Sequence, residues 1–114
     1  MIRLYGIPNC DTMKRARIWL ESHGHTYHFH DYKKSGIDRA TLEGWISQVG
    51  WELLLNRAGA TFKKLPDAER ENVTQARAIA LMLAQPSMIK RPVLEKGGKI
   101  TVGFRPETYE KLFR

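Results

Sequence analysis

The stretch Met1-Ile2-Arg3-Leu4-Tyr5-Gly6-Ile7-Pro8-Asn9-Cys10-Asp11-Thr12 decides how the rest of the chain is read. Ile2 to Tyr5 is short, apolar and bounded by turn residues, as a buried strand would be. Gly6, Pro8 and Asn9 then turn the chain sharply, and a helical pattern begins near Asp11. Cys10, the only cysteine in the protein, stands at that junction. A thiol at a helix N-terminus feels unpaired backbone N–H groups and their partial positive charge. The first turns add Lys14, Arg15 and Arg17, and nearby cations favour the nucleophilic thiolate. Against this, a lone cysteine is often a small buried hydrophobe. The stretch alone leaves both readings open.

Downstream, Asp11 or Thr12 is expected to cap a helix whose apolar stripe is Met13, Ala16, Trp19 and Leu20, with Gly24 ending it. Thr26 to Asp31 reads as a second strand. Strand, helix and strand so spaced form a βαβ unit with a parallel pair. The pattern then turns helical. Asp38 caps a helix with Leu42, Trp45, Ile46 and Val49 on one face, closed by Gly50. Trp51 to Leu55 adds a turn, and Arg57 to Pro66 a turn and a short helical piece. Asn72 is expected to cap a longer helix burying Ala76, Ile79, Ala80 and Leu83, stopped by Pro86. Val93–Lys96 and Lys99–Val102 flank Gly97-Gly98, a two-residue hairpin signal. Pro106 suits the first position of a last helix, whose stripe is Tyr109, Leu112 and Phe113.

The composition sets limits. With 114 residues, 42% hydrophobic and 27% charged, the chain fits one globular domain with one core. No apolar run approaches the roughly 18 residues of a membrane span. The N-terminus enters a strand without the charged and apolar regions of a secretory signal, and one cysteine forms no internal disulfide. A cytoplasmic protein is expected. The net charge of +7, from 19 Lys and Arg against 12 Asp and Glu, favours anionic partners. The cations are scattered, so charge alone does not separate a nucleic-acid surface from a small-anion pocket.

A βαβ unit followed by ββα, with cysteine opening the first helix, is the thioredoxin arrangement. Five separated segments narrow the choice: Tyr5 to Thr12, Asp31 to Ile37, Leu55-Asn56-Arg57, Lys90 to Leu94, and Val102 to Arg105. In these the chain resembles the arsenate reductase-like (ArsC/Spx) family, nearest its small YffB group, almost end to end. The resemblance implies an α/β fold: a thioredoxin-like core with a helical insertion in mid-chain. One domain, 1–114, is then expected, with 1–32 and 90–114 forming the core and 33–89 the insertion. It also implies a catalytic cysteine at Cys10, three surrounding arginines matching Arg57, Arg91 and Arg105, and a cis bond at Pro92. Such a proline leaves nearby backbone groups able to pair with a peptide-like substrate. Two positions depart from the arsenate reductase pattern. Gly6 stands where a histidine is common and Met13 where a serine is common. Spx regulators usually carry a second cysteine at the Met13 position.

Thiol–disulfide exchange passes through a mixed disulfide that a second thiol must resolve. With one cysteine in the chain, that thiol comes from outside, and glutathione is the expected co-substrate. Its two carboxylates suit arginine forks better than lysine. Arg57, Arg91 and Arg105 are the expected holders, with Pro92, Asn9 and Lys14 beside the sulfur. A glutathione-dependent thiol–disulfide oxidoreductase is the first reading. The alternatives are an arsenate reductase using glutathione or glutaredoxin, and a non-catalytic Spx-like regulator that binds RNA polymerase. His23, His25, His28 and His30 lack a carboxylate or cysteine at ligand spacing, so no metal is expected. Trp19, Trp45 and Trp51 fall on apolar stripes and read as core. Partners are glutathione and a disulfide or oxyanion substrate, with no membrane and no nucleic acid; a monomer is expected.

Overall fold

The computed structural model describes residues 1–114, which divide into two compact units. The first comprises residues 1–31 and 91–114, the second residues 32–90.

In the first unit β1 (Ile2–Gly6) leads to α1 (Asp11–Ser22) and β2 (His28–Asp31). The chain returns as β3 (Val93–Lys96), β4 (Lys99–Val102) and α8 (Pro106–Leu112). One four-stranded sheet results, in the order β2-β1-β3-β4. β1 runs parallel to β2, with Leu4 opposite Phe29, and antiparallel to β3, with Leu4 opposite Leu94. This mixed βαβ–ββα order is the thioredoxin-like core. Gly97 and Gly98 turn the β3–β4 hairpin with φ of 59° and 81°, the doubly left-handed pair that a two-residue hairpin demands. Leu4 and Leu94 meet Met13, Ala16 and Leu20 of α1 and Tyr109 of α8 in one buried cluster. Of the stripe read at Met13, Ala16, Trp19 and Leu20, the first two and Leu20 are buried on the sheet and Trp19 is partly buried against the same cluster. The larger of these side chains, Met13 and Leu20, contribute about 1.5–3 kcal/mol each relative to exposure.

The second unit holds α2 (Tyr32–Ser35), α3 (Arg39–Val49), α4 (Trp51–Leu54), α5 (Ala60–Lys63), α6 (Asp67–Arg70) and α7 (Gln75–Ala84), then a 3₁₀ turn at Pro86–Met88. It is the helical insertion. Leu42, Trp45 and Ile46 of α3 are buried, as are Leu54, Phe62 and Met88. The Lys90 N–H donates to Leu54 O at 2.8 Å and the Asn56 N–H to Met88 O at 2.7 Å. Residues 54–56 are thereby tied to 88–90.

Three local expectations change. α7 is capped by Thr74, whose hydroxyl accepts from the Arg77 N–H; the expected cap, Asn72, instead takes φ 54°. Its buried face is Ala78, Ile79, Leu81 and Met82, while Ala76 and Ala80 are exposed. Bulkier Leu81 and Met82 win the inward positions because they remove more apolar surface from water. The second strand starts at His28, two residues later than the aromatic run suggests.

Candidate active site

β1 ends at Gly6 and α1 begins at Asp11, so Ile7 to Cys10 must span the turn. Cys10 is itself the N-cap of α1, with extended backbone at φ −142° and ψ 128°. This replaces the expected cap at Asp11 or Thr12. The Cys10 carbonyl accepts the Lys14 N–H at 2.9 Å, the first bond of the helix. An N-cap side chain lies over the N–H groups of the second and third helical residues, here Thr12 and Met13. The half-buried sulfur makes no side-chain capping bond of ordinary geometry. Those N–H groups act on it chiefly when it is charged.

Arg91 supplies the cation. The antiparallel register sets Tyr5 opposite Val93, so the segment leaving β1 and the segment entering β3 lie side by side. Arg91 precedes β3 across a cis Arg91–Pro92 bond, and its guanidinium acts to lower the Cys10 thiol. Burial pushes the Cys10 thiol up. The N–H of Met13, the hydrogen bond from Arg91, the N–H of Thr12 and the charge of Arg91 together outweigh it, and the thiol lies below its ordinary value. Pro92 is buried, and its carbonyl accepts the Gly103 N–H at 2.8 Å, which fixes the end of β4 beside the same loop.

The other predicted site residues divide. Asn9 and Lys14 flank Cys10 and are exposed. Arg105 is exposed at the N-cap of α8 and lines a cleft of about 470 Å³ with Thr101, Phe104 and Thr108. Phe104 packs on the same buried cluster as Cys10 and lies 5.7 Å beneath the Arg15 guanidinium. Arg57 belongs to the helical unit, where its guanidinium sits 5.7 Å above the Trp51 ring. Among the predicted cations, Arg91 is the one that lowers the Cys10 thiol. Unpaired N–H groups at the helix start were expected from the sequence to act on the thiol; the structure identifies them as those of Thr12 and Met13. A cysteine directly before the first helical residue was the available signal. Sequence reading missed the contact of Met13 with Gly6, where a Cβ would meet Met13 Sδ at 2.3 Å.

The ArsC family model matches residues 5–112, which includes the cysteine loop, the cis-proline loop and α8. The chain belongs to the ArsC family. An arsenate reductase-related protein from Brucella melitensis is 62% identical, over 99% of this chain and 94% of that one, with a TM-score of 0.80. A protein named YffB is 57% identical over 97% of both chains, with a TM-score of 0.93. The global transcriptional regulator Spx of Streptococcus mutans is 26% identical over 94% of this chain and 79% of its own. The family and fold are therefore those of arsenate reductase-like thiol oxidoreductases. The four histidines gather no metal site; no group of three or more His, Cys, Asp or Glu side chains could hold an ion. No helix is long and apolar enough to cross a membrane.

Proposed function

We propose that this ArsC-family protein is a glutathione-dependent thiol–disulfide oxidoreductase, a single cytoplasmic domain with Cys10 as its nucleophile. One observation carries the reading: the only cysteine caps a helix, meets the Arg91 guanidinium, and is held below the usual thiol range against the upward push of burial. The thiolate attacks a glutathione mixed disulfide at its glutathione sulfur. A Cys10–glutathione disulfide forms, the old S–S bond breaks, and the substrate thiolate leaves to take a proton from water. A second glutathione thiolate then attacks the glutathione sulfur of that adduct. It frees Cys10 as thiolate and yields oxidised glutathione; one free glutathione thiol is oxidised for each substrate sulfur reduced, the other half of the product coming from the mixed disulfide itself. In this reading Arg91 and Arg105 take the carboxylates of glutathione, with Asn9, Lys14 and Pro92 bordering the sulfur.

The test is reduction of a small glutathione mixed disulfide, with and without glutathione, by the native protein and by Cys10→Ser, with arsenate assayed in parallel. The native protein should turn over only with glutathione and the variant not at all. Retained turnover in the variant removes the mechanism, and reduction of arsenate alone moves the protein to the arsenate reductases. The Spx relative supports a second reading, a regulator that binds RNA polymerase. A polymerase complex unaffected by Cys10→Ser, in a protein with no turnover, would favour it.

A further inference from the structure

Gly6 lies four residues before Cys10 and Met13 three after it, and they meet. Met13 is fully buried, the third residue of α1, and one of the two residues whose N–H acts on Cys10. Its thioether occupies the space of a side chain at position 6. A Cβ built on Gly6 would lie 2.3 Å from Sδ and 2.7 Å from Cε of Met13. Real Cβ contacts are never so close. Methionine is flexible and yields easily where it has room, but Met13 is fully buried in one cluster with Leu4, Ala16, Leu20, Leu94 and Tyr109. A close-packed interior leaves a displaced thioether nowhere to go without moving the helix start.

We propose that Gly6 and Met13 form one steric lock that seats the first turn of α1 on the end of β1 and so aims the Thr12 and Met13 N–H groups at the Cys10 sulfur. Met13 is then a positioning residue that acts through its own backbone. The bare Cα of Gly6 is the condition for its seat. The lock also keeps every side-chain proton donor out of position 6, which leaves backbone N–H groups and Arg91 as the groups acting on the sulfur. This deepens the reading of Cys10 as nucleophile and rests on it.

The experiment is a double-mutant cycle of Gly6→Ala, Met13→Ala and the two combined, read by the pH dependence of Cys10 alkylation and by thermal unfolding. Neither readout needs glutathione, so failure of the lock and failure of the proposed cycle are separate results. Gly6→Ala is expected to slow alkylation at pH 7 about tenfold, the fall in thiolate fraction for one unit of pKa. The combined variant should recover to within about threefold of the native rate, because the shortened Met13 side chain clears the new methyl. A native alkylation profile in Gly6→Ala overturns the proposal, as does a combined variant in which the two losses simply add. Should Gly6→Ala fail to fold, the combined variant decides. A folded protein with near-native alkylation supports the lock; an unfolded or tenfold slower one overturns it.

Discussion

Two helices of this protein begin in the same way and use their first turns differently. α3 is capped by Asp38, whose carboxylate accepts the Thr41 N–H at 2.7 Å while its carbonyl accepts from Leu42 at 3.1 Å. α1 is capped by Cys10, whose carbonyl accepts from Lys14 at 2.9 Å but whose sulfur makes no ordinary capping bond. Both cap residues have extended backbone, and both helices present unpaired N–H groups. At α3 a permanent anion satisfies one of those donors, and the gain is helix stability. At α1 the donors are left for a sulfur whose charge depends on pH, and in the proposed cycle the gain is reactivity. A helix start can serve structure or chemistry, and the identity of one residue decides which.

The largest effect that sharpens this contrast is Cys10→Ser. Glutathione-dependent turnover should vanish, while thermal unfolding should rise, because serine is a good N-cap. The gain is about 0.5–1 kcal/mol, or a few degrees in Tm. Loss of both activity and stability would show that the sulfur already acts as a structural cap. Next is Arg91→Ala, which removes the cation at the sulfur. The pH midpoint of alkylation should rise toward about 8.5, the free-thiol value, and the glutathione concentration for half-maximal rate should rise more than in Lys34→Ala. Equal responses of the two variants would place Arg91 outside the site. Asp38→Ala supplies the opposite case. It should cost about 1 kcal/mol in unfolding free energy, with turnover per folded molecule unchanged. A fall in turnover would mean that α3 has a part in the chemistry.

The smallest effect concerns pH and stability. A thiol lowered in the folded state releases its proton there before it does so in the unfolded chain. Between the lowered value and about 8.5 the unfolded chain binds more protons, so stability rises with pH through that window and levels above it. Denaturant titrations from neutral pH to about 9 should show this slope in the native protein and lose it in Cys10→Ser. The slope reads burial, which opposes it, against Met13, Arg91 and Thr12, which produce it.

Much of the fold was legible because its signals are local. Gly97-Gly98 adopts the two positive φ values of a tight hairpin, Pro106 opens α8, and Asp38 caps α3. The buried stripes of α1 and α3 also lie where their periodicity puts them. What failed was settled by competition between neighbours. Thr74 and Asn72 can both cap, and the choice fell with the face that Leu81 and Met82 bury. The site was less legible. Arg91 is 81 positions from Cys10 in the sequence, and only the β1–β3 register brings it to the sulfur. Family resemblance pointed to it; periodicity could not. The contact between Gly6 and Met13 was invisible for the same reason. Glycine and methionine carry no functional signal until the chain folds one over the other.

The cap of α1 has a consequence for how the helix behaves over time. A sulfur bonded to another sulfur carries no charge. In a mixed disulfide the Thr12 and Met13 amides therefore lose the anion they face in the thiolate form, and the first turn of α1 is freer to fray. The fastening of this helix is reversible, tightened or loosened by electrons held on one atom.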